Sequence, residues 1–159
     1  MKDTGGAMAA RIHRLEIRAE LSDLVARYGY VLDARDWDGV VSCFAQDGAL
    51  AFEGGSVAGH AALRDFYAER VGAYEFTFHY PHSHVFEITD DHLNATGIVS
   101  AHAEHGLDGA CLLAGVYYHD DYVHEDGRWR IARREIRSRY FLPWRPGSHA
   151  LPSSPDSGR

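Results

Sequence analysis

Lysine is all but missing. Lys2 is the only one in a chain of 159 residues, and it lies in the opening segment "MKDTGGAMAA". The core therefore has no lysine for a Schiff base or for a phosphate-binding loop, and several cofactor chemistries fall away. Cysteine is scarce too: Cys43 and Cys111 sit in apolar runs without CxxC spacing, which reads as two buried free thiols. No apolar run reaches the ~18 residues that suggest a membrane span, and no leader pattern opens the chain, so the expected address is the cytoplasm. Positive charge is outweighed: a net charge of −7 argues against a dedicated nucleic-acid binder.

What remains is an ordinary globular composition, 45% hydrophobic and 25% charged, of a size for one domain with one core. Residues 1–10 are small and aperiodic and are expected to fray. From Pro143 the chain holds four of its five prolines and four serines, so 143–159 reads as a loose tail. The folded domain is then 11–142. Within it, Ile17, Leu21, Leu24, Val25, Tyr28 and Leu32 recur at helical steps. Asp36 can cap a second short helix carrying Trp37, Val40, Val41 and Phe44. "GALAFEGGSVAG" reads as a small hairpin and "HAALRDFYAERV" as a third helix. After residue 75 four long strand-like runs follow, parted by "TDDH" and "HEDGR". Helices first and strands afterwards predict an α+β domain, with helices covering one face of a strongly curved, mainly antiparallel sheet and enclosing a cone-shaped cavity.

Histidine is abundant, with eleven in all and three of them in "TFHYPHSH", Thr77–His84. Strand alternation places His79 and Ser83 on one side and His82 and His84 on the other, unless Pro81 introduces a bulge. Three histidines converging on a metal are therefore not expected, and no metal or cofactor is assigned. The run "RWRIARREIRSR" carries six arginines, Arg128–Arg139, and reads as a solvated sheet edge, with Trp129 and Ile131 in the core by alternation.

The stretches "IRAELSDLVARYGYVLDARDWDGVVSCFAQDGAL", "GHAALRDFY", "TFHYPHSHVFEI", "ATGIVSAHAEH" and "YYHDDYVHEDGRWRI" resemble SnoaL-like proteins of the nuclear-transport-factor-2-like superfamily. They do so in order over about 12–142, nearest the scytalone dehydratase and bile-acid 7α-dehydratase branches. The resemblance implies the cone-shaped α+β barrel and a homodimer or homotrimer. It implies catalytic roles for Tyr28 and Asp33 at the end of the first helix and for His79 on the strand after the third. A second histidine is implied on the next strand; His102 is the first choice, with His105 left open.

The residues themselves point the same way. Asp33 sits at a helix C-terminus, where the macrodipole disfavours a carboxylate, and at the margin of the apolar stripe; a raised pKa is expected there. Tyr28 lies on the stripe, so its hydroxyl needs an inside partner, either a substrate oxygen or a backbone carbonyl. Held against Asp33, His79 would be fixed in one tautomer as a base. His102, Tyr117, Tyr118, Phe52, Trp37 and Arg137 are the expected substrate contacts. The predicted activity is a cofactor-independent lyase or isomerase on a hydrophobic, oxygenated small molecule. A non-catalytic binding module and a dioxygenase small subunit are the alternatives.

Overall fold

A computed structural model describes residues 4–144. Helix α1 spans Thr4–Asp33, α2 Trp37–Ser42 and α3 His60–Arg70. Strands follow as β1 (Phe44–Phe52), β2 (Gly55–Ala58), β3 (Thr77–Ile88), β4 (Asn94–Leu107), β5 (Ala110–Glu125) and β6 (Arg128–Trp144). They form one sheet in the order β2-β1-β6-β5-β4-β3. All neighbours are antiparallel except β1 and β6, which are parallel. This is the expected α+β cone, a curved sheet with helices on one face.

Three boundaries differ from the sequence reading. Helix α2 ends at Ser42, so Phe44 opens β1 rather than belonging to the second helix. Helix α1 already includes residues 4–10, because Ala7, Met8, Ala9 and Ala10 are strong helix formers and extending a nucleated helix costs little. Strand β6 runs past residue 142, with Pro143 opposite Leu112 and Trp144 opposite Cys111. Residues 145–159 of the expected tail lie outside the described residues. Among the described residues no helix is long and apolar enough to cross a membrane.

The core lies between α1 and the inner sheet face. Ile17, Leu21, Val25, Tyr28 and Leu32 from the α1 stripe meet Val99, Ala101, Val116, Tyr118 and Tyr122. Asp36 caps α2 by accepting a bond from the Gly39 N–H at 2.8 Å. Asp126 and Gly127 both have positive φ, the pair a two-residue β5–β6 hairpin requires.

Three β-bulges decide which side chains face the helices. In β3 the register shifts between Pro81 and Ser83, leaving His82 as the extra residue. Below it the odd residues Thr77 and His79 face inward; beyond it the even residues His84, Phe86 and Ile88 do. In β6 the pairing skips Ala132, so Ile131 and Arg134 are both inward and fully buried. A further shift skips Arg139, which turns Tyr140 to the outer face and Phe141 to the inner. The arginine-rich run is therefore not an edge, although Arg128, Arg133, Arg137 and Arg139 remain exposed. β6 is an interior strand between β1 and β5, and the extra residue rotates one of its arginines into the core.

Candidate active site

The site is built where α1 ends. The chain leaves the helix through a Schellman motif: Asp36 N–H donates to Val31 O, and Arg35 N–H to Leu32 O. The left-handed position is filled by Arg35, φ 57°, rather than glycine. Its guanidinium bonds the carbonyls of Gly72, at 3.1 Å, and Tyr74, tying the α3–β3 connection to the helix end. The last helical residue, Asp33, is thereby set against the free edge of β3.

Three groups of β3 converge on that carboxylate. The Thr77 hydroxyl donates to Oδ1 at 2.9 Å, the His79 backbone N–H to Oδ2 at 2.8 Å, and His79 Nδ1 lies 2.6 Å from Oδ1. Burial pushes the Asp33 pKa up, but the His79 ring and N–H and the Thr77 hydroxyl outweigh it, holding the carboxyl below its ordinary value. The expected raised pKa is thus reversed: hydrogen bonds to the charged form win over desolvation and the helix dipole. An ionised Asp33 accepts only, so the proton between the two groups sits on His79 Nδ1 and Nε2 is left as the basic atom.

The second histidine is His105. It lies across from Thr77 on the inner face, its ring edge-on to His79 with centroids 5.7 Å apart. Tyr74 and Phe141 flank it at 4.6 and 5.6 Å. Its Nδ1 is buried without a partner, and desolvation lowers its pKa to about 4. His102 is on the opposite face, since Ala101 and Ala103 beside it point inward; it is exposed and sits 2.7 Å from His82 Nε2. The three histidines of β3 part company: His79 at the site, His84 bonded to Ser22 Oγ of α1 at 2.8 Å, and His82 outside.

Deeper in the cone lies a cluster that the sequence reading did not assemble. Arg134 is wholly buried; its Nε and Nη2 donate to Asp120 at 2.8 and 2.7 Å. Tyr122 also donates to Asp120, at 2.6 Å. The guanidinium lies 4.2 and 4.3 Å from the centroids of the Tyr28 and Tyr118 rings, in the corner these make by meeting edge to face, and its Nη1 has no partner. Tyr28 bonds the Tyr67 hydroxyl at 2.9 Å, a side-chain partner that was not foreseen. Burial raises the Tyr28 pKa, and the Arg134 charge draws it part of the way back. The signal for the pair was an aspartate in step with the inward Tyr118 and Tyr122; the Ala132 bulge hid its partner.

The other expected contacts divide. Tyr118 faces inward as part of the cluster. Tyr117 is on the outer face, opposite Arg137, which is bonded there to Glu135 at 2.8 Å. Phe52 stacks on Phe66 at 4.8 Å, and Trp37 packs on the core from α2, so both serve helix–sheet packing. The expected open cone is closed in its depth by Tyr28, Tyr67, Tyr118 and Arg134. Clefts of about 440, 300 and 590 Å³ lie elsewhere and are not lined by Asp33 or His79. The rings of His79, His105, Tyr74 and Phe141 gather beside Asp33 at the mouth of the cone.

Comparison with known proteins agrees with this fold. The SnoaL-like domain family matches residues 13–135. No curated protein matches the chain significantly. Many solved structures share the fold. Rv3472 of Mycobacterium tuberculosis, a protein of unknown function, is 26% identical with a TM-score of 0.73, covering 81% of this chain and 75% of its own. The hexachlorocyclohexane dehydrochlorinase LinA-type3 of Novosphingobium barchaimii LL02 is 24% identical, TM-score 0.78, over 89% and 99%. A putative scytalone dehydratase of Novosphingobium aromaticivorans is 18% identical, TM-score 0.77, over 86% and 92%. At these last two identities the likeness is one of fold.

Proposed function

Because the chain belongs to the SnoaL-like domain family, we propose that it is an acid–base lyase or isomerase that needs no cofactor and acts on a hydrophobic, oxygenated small molecule at the mouth of the cone. The observation that carries this reading is the Asp33–His79 contact, 2.6 Å between Oδ1 and Nδ1, with the carboxylate fixed by two further donors. A binding module has no need to fix one imidazole tautomer and leave the other nitrogen free; a proton-abstracting enzyme does.

His79 Nε2 takes a proton from the carbon next to a carbonyl. The resulting imidazolium is stabilised by Asp33. Negative charge develops on the carbonyl oxygen; Tyr28, buried behind the mouth, donates to it once the ring cluster opens, with Tyr67 the donor within their hydroxyl pair. In a dehydration the imidazolium returns its proton to the departing β-hydroxyl, releasing water and leaving the conjugated carbonyl. In an isomerisation it reprotonates a different carbon. His105 is uncharged at neutral pH, so its role is to orient a polar group of the substrate rather than to supply a proton. Self-association into a homodimer or homotrimer belongs to the same proposal; the outer sheet face, with exposed Phe78, Val85 and Ile98, is the surface for it.

The test is kinetic. On a substrate found by screening hydroxy-ketones of polycyclic, steroid-like or polyketide-like type, His79→Ala and Asp33→Asn should each lower kcat by ~10²–10⁴-fold with the fold unchanged by circular dichroism. Near-full activity in either variant sinks the mechanism.

A further inference from the structure

The interior holds one guanidinium against two carboxylates. Among the described residues the buried charged side chains are Asp120 and Arg134, and Asp33 joins them at the mouth. Arg134 cannot act as a free cation: Asp120 takes it in a two-pronged pair, both side chains at 0% exposure. The guanidinium lies against the Tyr28 and Tyr118 rings, which meet each other edge to face at 6.2 Å. Arg35, half-buried at the helix end, is committed to the Gly72 and Tyr74 carbonyls; with it counted, the two arginines balance Asp33 and Asp120 while His79 is neutral, and the site carries no net positive charge.

We propose that this site selects uncharged substrates and rejects anions of the same shape, because Asp120 masks the one cation that would receive them. The inference rests on the cone being the substrate site. A carboxylate or phosphate entering beside Asp33 would give up its hydration and meet a like charge with no free cation, since Arg134 is paired and Arg35 is tied to two carbonyls, which is costly in a low-dielectric interior. A carbonyl pays no such penalty. The donor left for it is Arg134 Nη1, the guanidinium nitrogen without a partner. Reaching it requires the Tyr28 and Tyr118 rings to part.

Asp120 is therefore a specificity-determining residue that need not touch the substrate. Its replacement by asparagine keeps an acceptor oxygen for Arg134 and the volume of the side chain, but unmasks the charge. The experiment is calorimetric titration of the full chain with two probes of matched size, β-tetralone and β-naphthoate, at a pH well above the carboxylate range. Wild type is expected to bind the ketone at least ~10-fold more tightly than the carboxylate. Asp120→Asn should close or invert that gap by a gain for naphthoate, and Asp120→Glu should restore the wild-type order. Equal or tighter binding of naphthoate by wild type overturns the proposal, as does failure of the ketone to bind. An unchanged ranking in a folded Asp120→Asn does so too. Should that variant not fold, the wild-type ranking decides. These are binding measurements: a lost ranking with an active dyad refutes the charge argument alone, and an inert dyad with the ranking intact refutes the catalytic reading alone.

Discussion

Asp33 and Asp120 are two carboxylates on the helix-facing side of one sheet, each joined to a nitrogen base, and they do opposite things. Asp33 binds one edge of the His79 ring and leaves the far nitrogen at the mouth, with the pair partly exposed at 19% and 9%. Asp120 engages two nitrogens of Arg134, accepts the Tyr122 hydroxyl as well, and is sealed from solvent. The first arrangement presents an atom for chemistry. The second holds β5 and β6 in register and fixes the charge of the interior. A carboxylate–base pair is thus read by what its partner has left over, rather than by its length.

The largest effect expected from breaking this contrast is on stability. Removing one member of the deep pair, by Asp120→Ala or Arg134→Leu, strands a buried charge and should cost about 3–5 kcal/mol in urea unfolding. Removing both, by Asp120→Leu with Arg134→Met, should recover most of that loss, since two apolar side chains need no partner. Asp33→Asn, with its site partly wet and its donors able to bond the amide oxygen, should cost only about 1–2 kcal/mol while silencing turnover. Equal destabilisation by Asp33→Asn and Asp120→Ala would erase the distinction between the two pairs.

This division explains what could and could not be read from the sequence. The α1 stripe, the Asp36 cap, the hairpin turns and the strand runs are local patterns, and they placed every element. The resemblance singled out Tyr28, Asp33 and His79, and two of the three meet directly. Some of the failures share one cause. Side-chain facing was inferred from unbroken alternation, and bulges at His82, Ala132 and Arg139 each reverse it. The misplacing of Arg134 and Arg137 follows from β6. His102 and Tyr117 failed differently: each had an inward neighbour in reach, His105 and Tyr118, and only the pairing register chooses between such candidates.

A second prediction sharpens the boundary between mouth and depth through acid titration. His105 has its pKa lowered from 6.5 to about 4, chiefly by burial and further by the His79 charge. The unfolded ring takes up its proton first. The contribution of the neutral ring is therefore fully present above pH 6.5 and is lost as the pH falls from 6.5 through about 4. Asp33 acts in a lower window: its carboxyl is depressed below 3.8, so its contribution is lost only as the pH falls beneath that value. His105→Phe should flatten the upper limb of a stability–pH curve and leave the lower limb in place; Asp33→Asn should do the reverse. A single limb removed by both substitutions would mean that the two groups titrate as one unit.

The smallest effect concerns how the mouth is held. Arg35 bears the left-handed backbone that ends α1, at φ 57°, and at the same time bonds the Gly72 and Tyr74 carbonyls. Strain and strap act in opposite directions, and two substitutions separate them. Arg35→Ala keeps the strained backbone and loses the strap, so it should destabilise by about 1–2 kcal/mol. Arg35→Gly loses the same strap but relieves the backbone, and should lie about 1 kcal/mol above the alanine variant. Thermal unfolding measures the difference, and equal melting of the two would mean that the helix end carries no strain. Because Tyr74 packs against His105, loss of the strap should also raise KM more than it lowers kcat. The Asp33–His79 contact is made by β3 and the helix itself and persists without it.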